Sequence, residues 1–375
     1  MKRALIIGAG NIGRGVVGYL LKEAGYQLSF YDLNTEALET MQQNGGYSVF
    51  VAGGETPERH EINTFEIIPP DRLTEALIDH EFVFCCVYEG AFQSIANHLA
   101  EALRQKMKTM NIMLCVNSLG APQKFRAFVE DALDEDKKID FQKTVGINQV
   151  MVLSAGLPLS EAQLEKYPYA VMITANPHLE IDGLSFKGEQ PQIPQVAFVS
   201  NAEGRIYRKV YVGNMRHVMA GFIGDAQHMT FVCEAQQDSK IRSYLIGAFE
   251  EAHEAISAKY TFDPVEDQEW VAYMQEKLTQ NVKDPIQRVT ANPAVKLGAE
   301  ERFIGPAKLC LAYNILPFYI TLGVAYGLRY LQKEDQRTVD QLLIEVCGLD
   351  PQQDFILYQL IKKHYQGIEG EKDEI

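Results

Sequence analysis

No CxxC pair, no HExxH and no cluster of Cys and His at ligand spacing occurs in these 375 residues. That removes the common zinc sites and redox dithiols from consideration, and no metal is expected. Cysteine itself is sparse: Cys85, Cys86, Cys115, Cys233, Cys310 and Cys347 are scattered, the first three inside apolar strand-like runs. They read as buried free thiols of a reducing compartment, with no disulfide framework. Basic residues are outnumbered, with 35 Lys and Arg against 50 Asp and Glu and a formal charge of −15. Such a surface argues against a general binder of nucleic acid or anionic membrane, and an anionic substrate would need a local basic pocket. Internal repeats and low-complexity blocks are absent. Long apolar runs are missing too: the one candidate, residues 309–328, is interrupted by Asn314 and Pro317 and reads as a buried helix pair. The first apolar run is short and enters a glycine turn without a cleavage-type segment, so no signal peptide is expected and a cytoplasmic location is.

What is present begins at the N-terminus. The run Ala4, Leu5, Ile6, Ile7 feeds into Gly8-x-Gly10-x-x-Gly13, and residues from Asn11 and Ile12 onward turn apolar at helical spacing. Gly8 allows the tight turn out of a buried strand, Gly10 lets backbone approach a pyrophosphate, and Gly13 lets the new helix pack closely on the sheet. The helix N-terminus then offers its N–H groups to phosphate oxygens. A second strand, LSFY, ends at Asp32, about where the dinucleotide fingerprint places an acid on the ribose 2′-hydroxyl. Asp32 would repel a 2′-phosphate, and Leu33 and Asn34 supply no compensating cation, so NAD is favoured over NADP. Read without a ligand, Asp32 and Asn34 are a solvated turn into the helix TEALETMQQN.

Alternation of strand and helix continues to about residue 150. YSVFVAG, TFEIIPP, EFVFCCVY, NIMLCVNS and KTVGINQV are strand candidates, and DRLTEALID, GAFQSIANHLAEALRQKMK and PQKFRAFVEDALD are helical. Apolar strands separated by amphipathic helices require a parallel sheet covered on both faces. The expectation is an α/β, Rossmann-type, doubly wound domain over residues 1–200, with a strand-rich elaboration at 151–204. Cys86, Val87 and Asn117 sit at strand carboxyl ends, where such sheets bind ligands. From residue 205 to 375 the period is helical, so the second domain is mostly α and carries the substrate and catalytic groups. The charged tail GIEGEKDEI is expected to be loosely held.

The informative feature of the helical half is Lys209-x4-Asn214-x2-His217. At about 100° per residue His217 falls about 80° and Asn214 about 140° from Lys209, so all three reach one broad surface. Oxidation of a secondary alcohol needs a base for the hydroxyl proton and donors for the developing oxyanion. A lysine serves as the base once desolvation or neighbouring cations such as Arg208 or Arg216 lower its pKa. Asn214 can donate to the alkoxide and His217 can fix a substrate hydroxyl. On spacing alone, a solvated Lys and a core-packed His are the other reading.

GAGNIGRG followed by K-x4-N-x2-H at the head of an all-helical domain resembles the polyol-specific long-chain dehydrogenase/reductase family, and DPIQRVTANPAVKLGAEERFIGPA (residues 284–307) is similar to a third segment of that family. The resemblance implies an NAD-dependent, metal-independent enzyme that interconverts a polyol or polyol phosphate with its ketose form. It implies Lys209 as general base, Asn214 as oxyanion donor and His217 as substrate orienter. The family's second oxyanion asparagine falls on Asn148 by residue type or Gln149 by ungapped register, and adjacent strand residues face opposite ways. Two positions the family often fills with arginine are Ala291 and Val295 here, leaving Arg288, Lys296 and Arg302 as the substrate-facing cations. Hexuronate reduction on the same framework and a dinucleotide-binding protein without turnover are the alternatives. The intact Lys209, Asn214 and His217 favour the enzyme.

Overall fold

The computed structural model describes residues 2–53 and 56–370. The chain divides into two compact units, Met1–Glu203 and Gly204–Ile375. The named strands all belong to the first: β1 (Arg3–Ile7), β2 (Gln27–Tyr31), β3 (Tyr47–Val51), β4 (Glu58–Ile62), β5 (Glu66–Ile67), β6 (Phe82–Cys85), β7 (Met110–Leu114), β8 (Val145–Val152), β9 (Gly156–Leu157), β10 (Val171–Ile173), β11 (Leu179–Asp182) and β12 (Val196–Val199). One sheet runs β5-β2-β1-β6-β7-β8-β11-β12. Its strands are parallel except that β11 turns antiparallel to β8 and carries the parallel β12 with it. From β5 to β8 this is the doubly wound Rossmann order, with its reversal between β1 and β6.

The apolar run of β1 has a simple cause. Leu5 and Ile7 enter one core with helices Leu73–Asp79, Phe92–Gln105 and Ala121–Ala132, while Ala4 and Ile6 enter another on the opposite face. A strand buried on both faces has no polar side to show. The second face is covered by the helix that follows the glycine turn and by a small sheet, β4-β3-β10-β9. This sheet departs from the expected plan of helices alone. β4, with sequence ERHEI, has no apolar residue before Ile62 and so gives no strand signal. Residues 151–204, expected as an elaboration, complete both sheets: β11 and β12 extend the large one, β9 and β10 the small one. The helix Glu135–Thr144 also goes beyond the sequence reading, because Phe141 is its one buried side chain and no apolar stripe marks it.

The second unit is helical. Residues 309–328 form parts of two helices, Ile304–Ala312 and Phe318–Leu331, joined by a turn in which Asn314 has φ 62°. Among the described residues no helix is long and apolar enough to cross a membrane. The last helix, Phe355–Gly370, includes residues 367–370 of the tail expected to be loose, while 371–375 lie outside the described residues.

Candidate active site

The glycine turn is shaped by what a side chain would strike. Gly8 has φ 97°, and a Cβ there would lie 2.6 Å from the Cys86 carbonyl oxygen and 2.8 Å from Val87 Cγ1, so β6 ends directly against it. A Cβ on Gly13 would lie 1.9 Å from the Gly8 oxygen, whereas one on Gly10 would meet nothing within 4 Å. Gly8 and Gly13 are thus required by the protein, and the space at Gly10 is left for something else. The helix begun by Asn11 and Ile12 opens as a π-helix, Asn11–Val17, before the α-helix Gly18–Glu23. Its N-terminal turn has no side-chain cap and no acidic residue, which suits an anion at the helix start. Gly15 and Gly18 face the small sheet, where added Cβ atoms would lie 2.8 Å from Ile173 and 3.0 Å from the Tyr47 hydroxyl.

Asp32, half-buried, closes the turn: its Oδ2 accepts from Ala9 N at 2.7 Å and its Oδ1 from Asn34 N at 2.9 Å. Asn34 caps the next helix by accepting from Ala37 N. The local-turn role is therefore filled, yet a carboxylate has further lone pairs for a ribose hydroxyl. Arg14 donates to Ala9 O and Tyr169 O, both at 2.6 Å. Burial lowers its pKa, against the opposing influence of Tyr47 and Asp32. At the strand carboxyl ends Leu33, Tyr88 and Asn117 are exposed, Tyr88 by 94%. Glu89, after β6, is bound by Ser118, after β7, and by Lys124 Nζ at 2.9 Å. Burial would raise the Glu89 pKa, but these two donors hold it lower. Leu33 and Tyr88 were not singled out by sequence, and an apolar side chain exposed beside a glycine turn is the signal that marks them. Open space at Gly10, a bare helix start and Asp32 at the end of β2 together fit a dinucleotide.

Asn148 and Gln149 are both buried but face opposite ways. Asn148, 0% exposed, donates Nδ2 to Asp182 O at 3.1 Å and shares its face with Gly146, beneath residues 182–187. Gln149 donates to Val116 O at 3.2 Å, beyond the carboxyl end of β7 and next to Asn117. The pleat therefore separates the two alternatives: Gln149 reaches the segment beyond β7, whereas Asn148 lies beneath residues 182–187.

One helical rod, Ala202–Ala226, has a π-helical middle, Lys209–Asn214. The i→i+5 closure sets Lys209 and Asn214 one turn apart, nearer each other than uniform α-geometry implies, and such π segments recur at functional sites. From Lys209 to Gly224 the half-exposed residues are Lys209, Gly213, Asn214 and His217, and all others are buried. A helix enclosed on every other side presents these three polar side chains on its one open stripe.

Arg208 and Arg216, expected to depress the Lys209 pKa, are engaged elsewhere. Arg208 is 3% exposed, donates to Asp267 Oδ1 at 2.7 Å and Glu266 Oε1 at 2.8 Å, and lies over the rings of Phe262 and Trp270. Arg216 donates to Met274 O and lies over Phe249, and burial pushes its pKa down to about 10.

His217 Nε2 meets Asp284 Oδ2 at 2.9 Å, and Arg288 clasps the same carboxylate, Nε to Oδ1 at 2.7 Å and Nη2 to Oδ2. Burial would raise the Asp284 pKa, but these donors hold it well below the ordinary carboxylate value. Lys296 is pushed down to about 8, first by burial and then by the charges of Arg302 and Arg288. The three expected cations are therefore near enough to feel one another. Tyr211, in the π segment, donates to Glu300 O at 2.9 Å and so ties down the loop that carries Arg302, which itself rests on Glu301. Asp284 was not singled out by sequence. Its i,i+4 spacing to Arg288 was legible, but its pairing with a histidine 67 positions earlier was not. No three His, Cys, Asp or Glu side chains among the described residues converge as metal ligands.

Comparison with known proteins speaks to the family and the fold of the chain. The model of the mannitol dehydrogenase Rossmann domain matches residues 2–195, and that of the mannitol dehydrogenase C-terminal domain matches 205–354. The mannitol-1-phosphate 5-dehydrogenase of Bacillus pumilus is 32% identical over 96% of this chain and 99% of its own, and that of Oceanobacillus iheyensis is 28% identical over 99% and 100%. Among solved structures, Pseudomonas fluorescens mannitol 2-dehydrogenase, a ternary complex with NAD and D-mannitol, superposes with TM-score 0.76 at 13% identity. The match covers 98% of this chain and 92% of that one, and it speaks to the fold.

Proposed function

The chain belongs to the mannitol dehydrogenase family, and on that premise we propose that it interconverts mannitol 1-phosphate and fructose 6-phosphate with NAD, using Lys209 as general base and no metal. The observation that carries this reading is the open stripe of Lys209, Asn214 and His217 on an otherwise buried helix. Support for the substrate comes from the near full-length relatives of that name and from the cations Arg288, Lys296 and Arg302. In a protein of net charge −15, such a cluster is the local basic pocket that a phosphate of charge about −1.5 to −2 requires.

Oxidation of a secondary alcohol removes a proton from oxygen and a hydride from carbon. A bound NAD would supply the acceptor for that hydride. Lys209, as the neutral amine, takes the hydroxyl proton, and Asn214 donates its amide N–H to the oxygen as charge gathers there. His217 holds a neighbouring hydroxyl, while Arg288, Lys296 and Arg302 meet the phosphate. In the first unit Gly8, Gly10, Asn11, Ile12 and Gly13 would hold the diphosphate, Asp32 would take the ribose hydroxyl, and Asn117 would border the cofactor. Gln149 stands nearer that edge than Asn148.

Exposed Ala291 and Val295 add no cation beside Lys296, and three cations also suffice for the single carboxylate of a hexuronate. One assay separates these readings: NADH absorbance followed with fructose 6-phosphate, fructose and the hexuronates. Fructose 6-phosphate is expected to have the highest kcat/KM by at least about tenfold, the worth of one charge-assisted hydrogen bond. A preference for fructose or a hexuronate overturns the phosphorylated substrate.

A further inference from the structure

We propose that Asp284 is a positioning residue that fixes His217 as a hydrogen-bond acceptor toward substrate and at the same time sets the direction of Arg288. The inference rests on the reading of the site given above and adds to it a residue and a polarity.

Asp284 lies just before the helix Ile286–Thr290, and its backbone is strapped to the preceding segment. Its carbonyl accepts from Val232 N at 2.9 Å, and Ile286 N donates to Thr230 O at 3.0 Å. The carboxylate that this strap presents is only 15% exposed and receives three donors from two elements: His217 Nε2, Arg288 Nε and Arg288 Nη2. With two N–H donors of Arg288 already upon it, the carboxyl stays ionised, and an ionised carboxylate only accepts. The hydrogen in the His217–Asp284 bond must therefore sit on Nε2. A neutral imidazole with its proton on Nε2 leaves Nδ1 as a bare lone pair. In its neutral form His217, whose side chain is 40% exposed, therefore presents an acceptor on the open stripe beside the amide of Asn214. A substrate hydroxyl can then donate to His217. An oxygen anion would be repelled there and left to the cations.

The second consequence concerns Arg288. Its side chain is 69% exposed, and a guanidinium so exposed would ordinarily sample many rotamers. Pinned through Nε and one Nη2 hydrogen, it keeps its Nη1 donors for an anion. One carboxylate thus separates the two recognition tasks, a hydroxyl at His217 and an anion at Arg288. The separation needs the charge of Asp284 and not merely its shape.

The test uses the full-length protein with ring-15N-labelled histidine, the His217 resonance being assigned by its loss in His217→Gln. Long-range 1H–15N correlation without substrate should show the Nε2–H tautomer at His217. In Asp284→Asn the amide keeps one accepting oxygen, which the Arg288 donors take. Its NH2 then faces the imidazole and should move the proton to Nδ1. In steady state, Asp284→Asn should raise KM for mannitol 1-phosphate by about tenfold, as for one lost hydrogen bond. Its kcat should stay within about threefold, and NADH affinity should not change. An Nδ1–H tautomer in the wild type overturns the proposal. So does an Asp284→Asn protein with unchanged KM, or one in which kcat and NADH binding fall together while the tautomer stays. The tautomer is read without turnover, so failure of mannitol 1-phosphate as substrate would overturn the functional reading alone.

Discussion

Placing an alanine at Gly10 or at Gly13, three residues apart in one turn, should produce opposite failures. Gly10 has φ −76° and ψ −168°, a region open to any residue, and its added Cβ would meet nothing within 4 Å. Gly10→Ala should therefore fold as well as the wild type, or gain about 0.4–1 kcal/mol through the stiffer unfolded chain. The methyl group would occupy the space through which a diphosphate approaches the backbone. If one or two charge-assisted N–H···O bonds of roughly 1.5–3 kcal/mol are lost, NADH affinity should fall by a factor on the order of 10–10⁴. At Gly13 the added atom would lie 1.9 Å from the Gly8 carbonyl oxygen. That neighbour is backbone and cannot rotate away, so helix and strand must separate. The cost should reach or exceed about 3 kcal/mol, the upper end for overpacking. At about 2–4 °C per kcal/mol for a domain of this size, Tm should drop by roughly 6–12 °C. Calorimetry and NADH fluorescence titration on the two variants measure both quantities. A Gly10→Ala protein that binds NADH within twofold of wild type would show that the diphosphate does not lie there, and a Gly13→Ala protein of wild-type Tm would refute the close approach.

Lys209→Ala should lower kcat by a factor on the order of 10²–10⁴, the worth of a positioned base, with NADH affinity nearly unchanged; activity within tenfold of wild type would count against the base. Lys296 is a cation below its pKa of about 8 and neutral above it. KM for mannitol 1-phosphate should therefore rise as pH passes through 8 while that for mannitol stays flat, and parallel profiles would remove Lys296 from phosphate binding. Asp32→Ala should narrow the preference for NAD(H) over NADP(H), because it removes both the ribose acceptor and the repulsion of a 2′-phosphate; an unchanged ratio in coenzyme titrations would mean that another group sets it.

Which parts of the fold were legible follows from where the burial lies. β1, β2, β6, β7 and β8 are short apolar runs because both faces of the sheet are covered, and a run of that kind is the strongest strand signal a single sequence carries. In the small sheet β3 was legible as the run YSVFV, but β4, ERHEI, was not. Val171 and Ile173 in β10 read as a strand, but nothing local says that their partner is β3, 122 positions earlier in the register Val171↔Val49. Pairing of that range is decided by tertiary packing. Its one trace in sequence is the spacing of Gly15 and Gly18, which lets the first helix approach Ile173 and Tyr47.

The site divides along the same line. The sequence reading drew its candidates from contiguous motifs: the glycine turn, Asp32, Lys209, Asn214, His217, and the cations from Arg288 to Arg302. What failed was geometry that depends on departures from regular structure or on distant partners. A wheel at about 100° per residue sets Lys209 and Asn214 about 140° apart on one broad surface, whereas the π turn between them brings them closer. The turn contains Gly213, where a Cβ would come 3.3 Å from Met274 Cε, so packing from another helix bears on a residue that propensity alone would place in a kink. Asn148 matched a residue type and Gln149 the ungapped register, and strand parity sends the two amides to different partners, Asp182 O and Val116 O. Arg208 and Arg216 were close to Lys209 in sequence but are committed to Glu266, Asp267 and Met274. With its charge offset by Glu266 and Asp267, Arg208 should matter to the rod more than to the base. Arg208→Met should destabilise the rod that carries Lys209 while leaving the pH profile of alcohol oxidation nearly unchanged, and a shifted profile would show that its charge reaches the base.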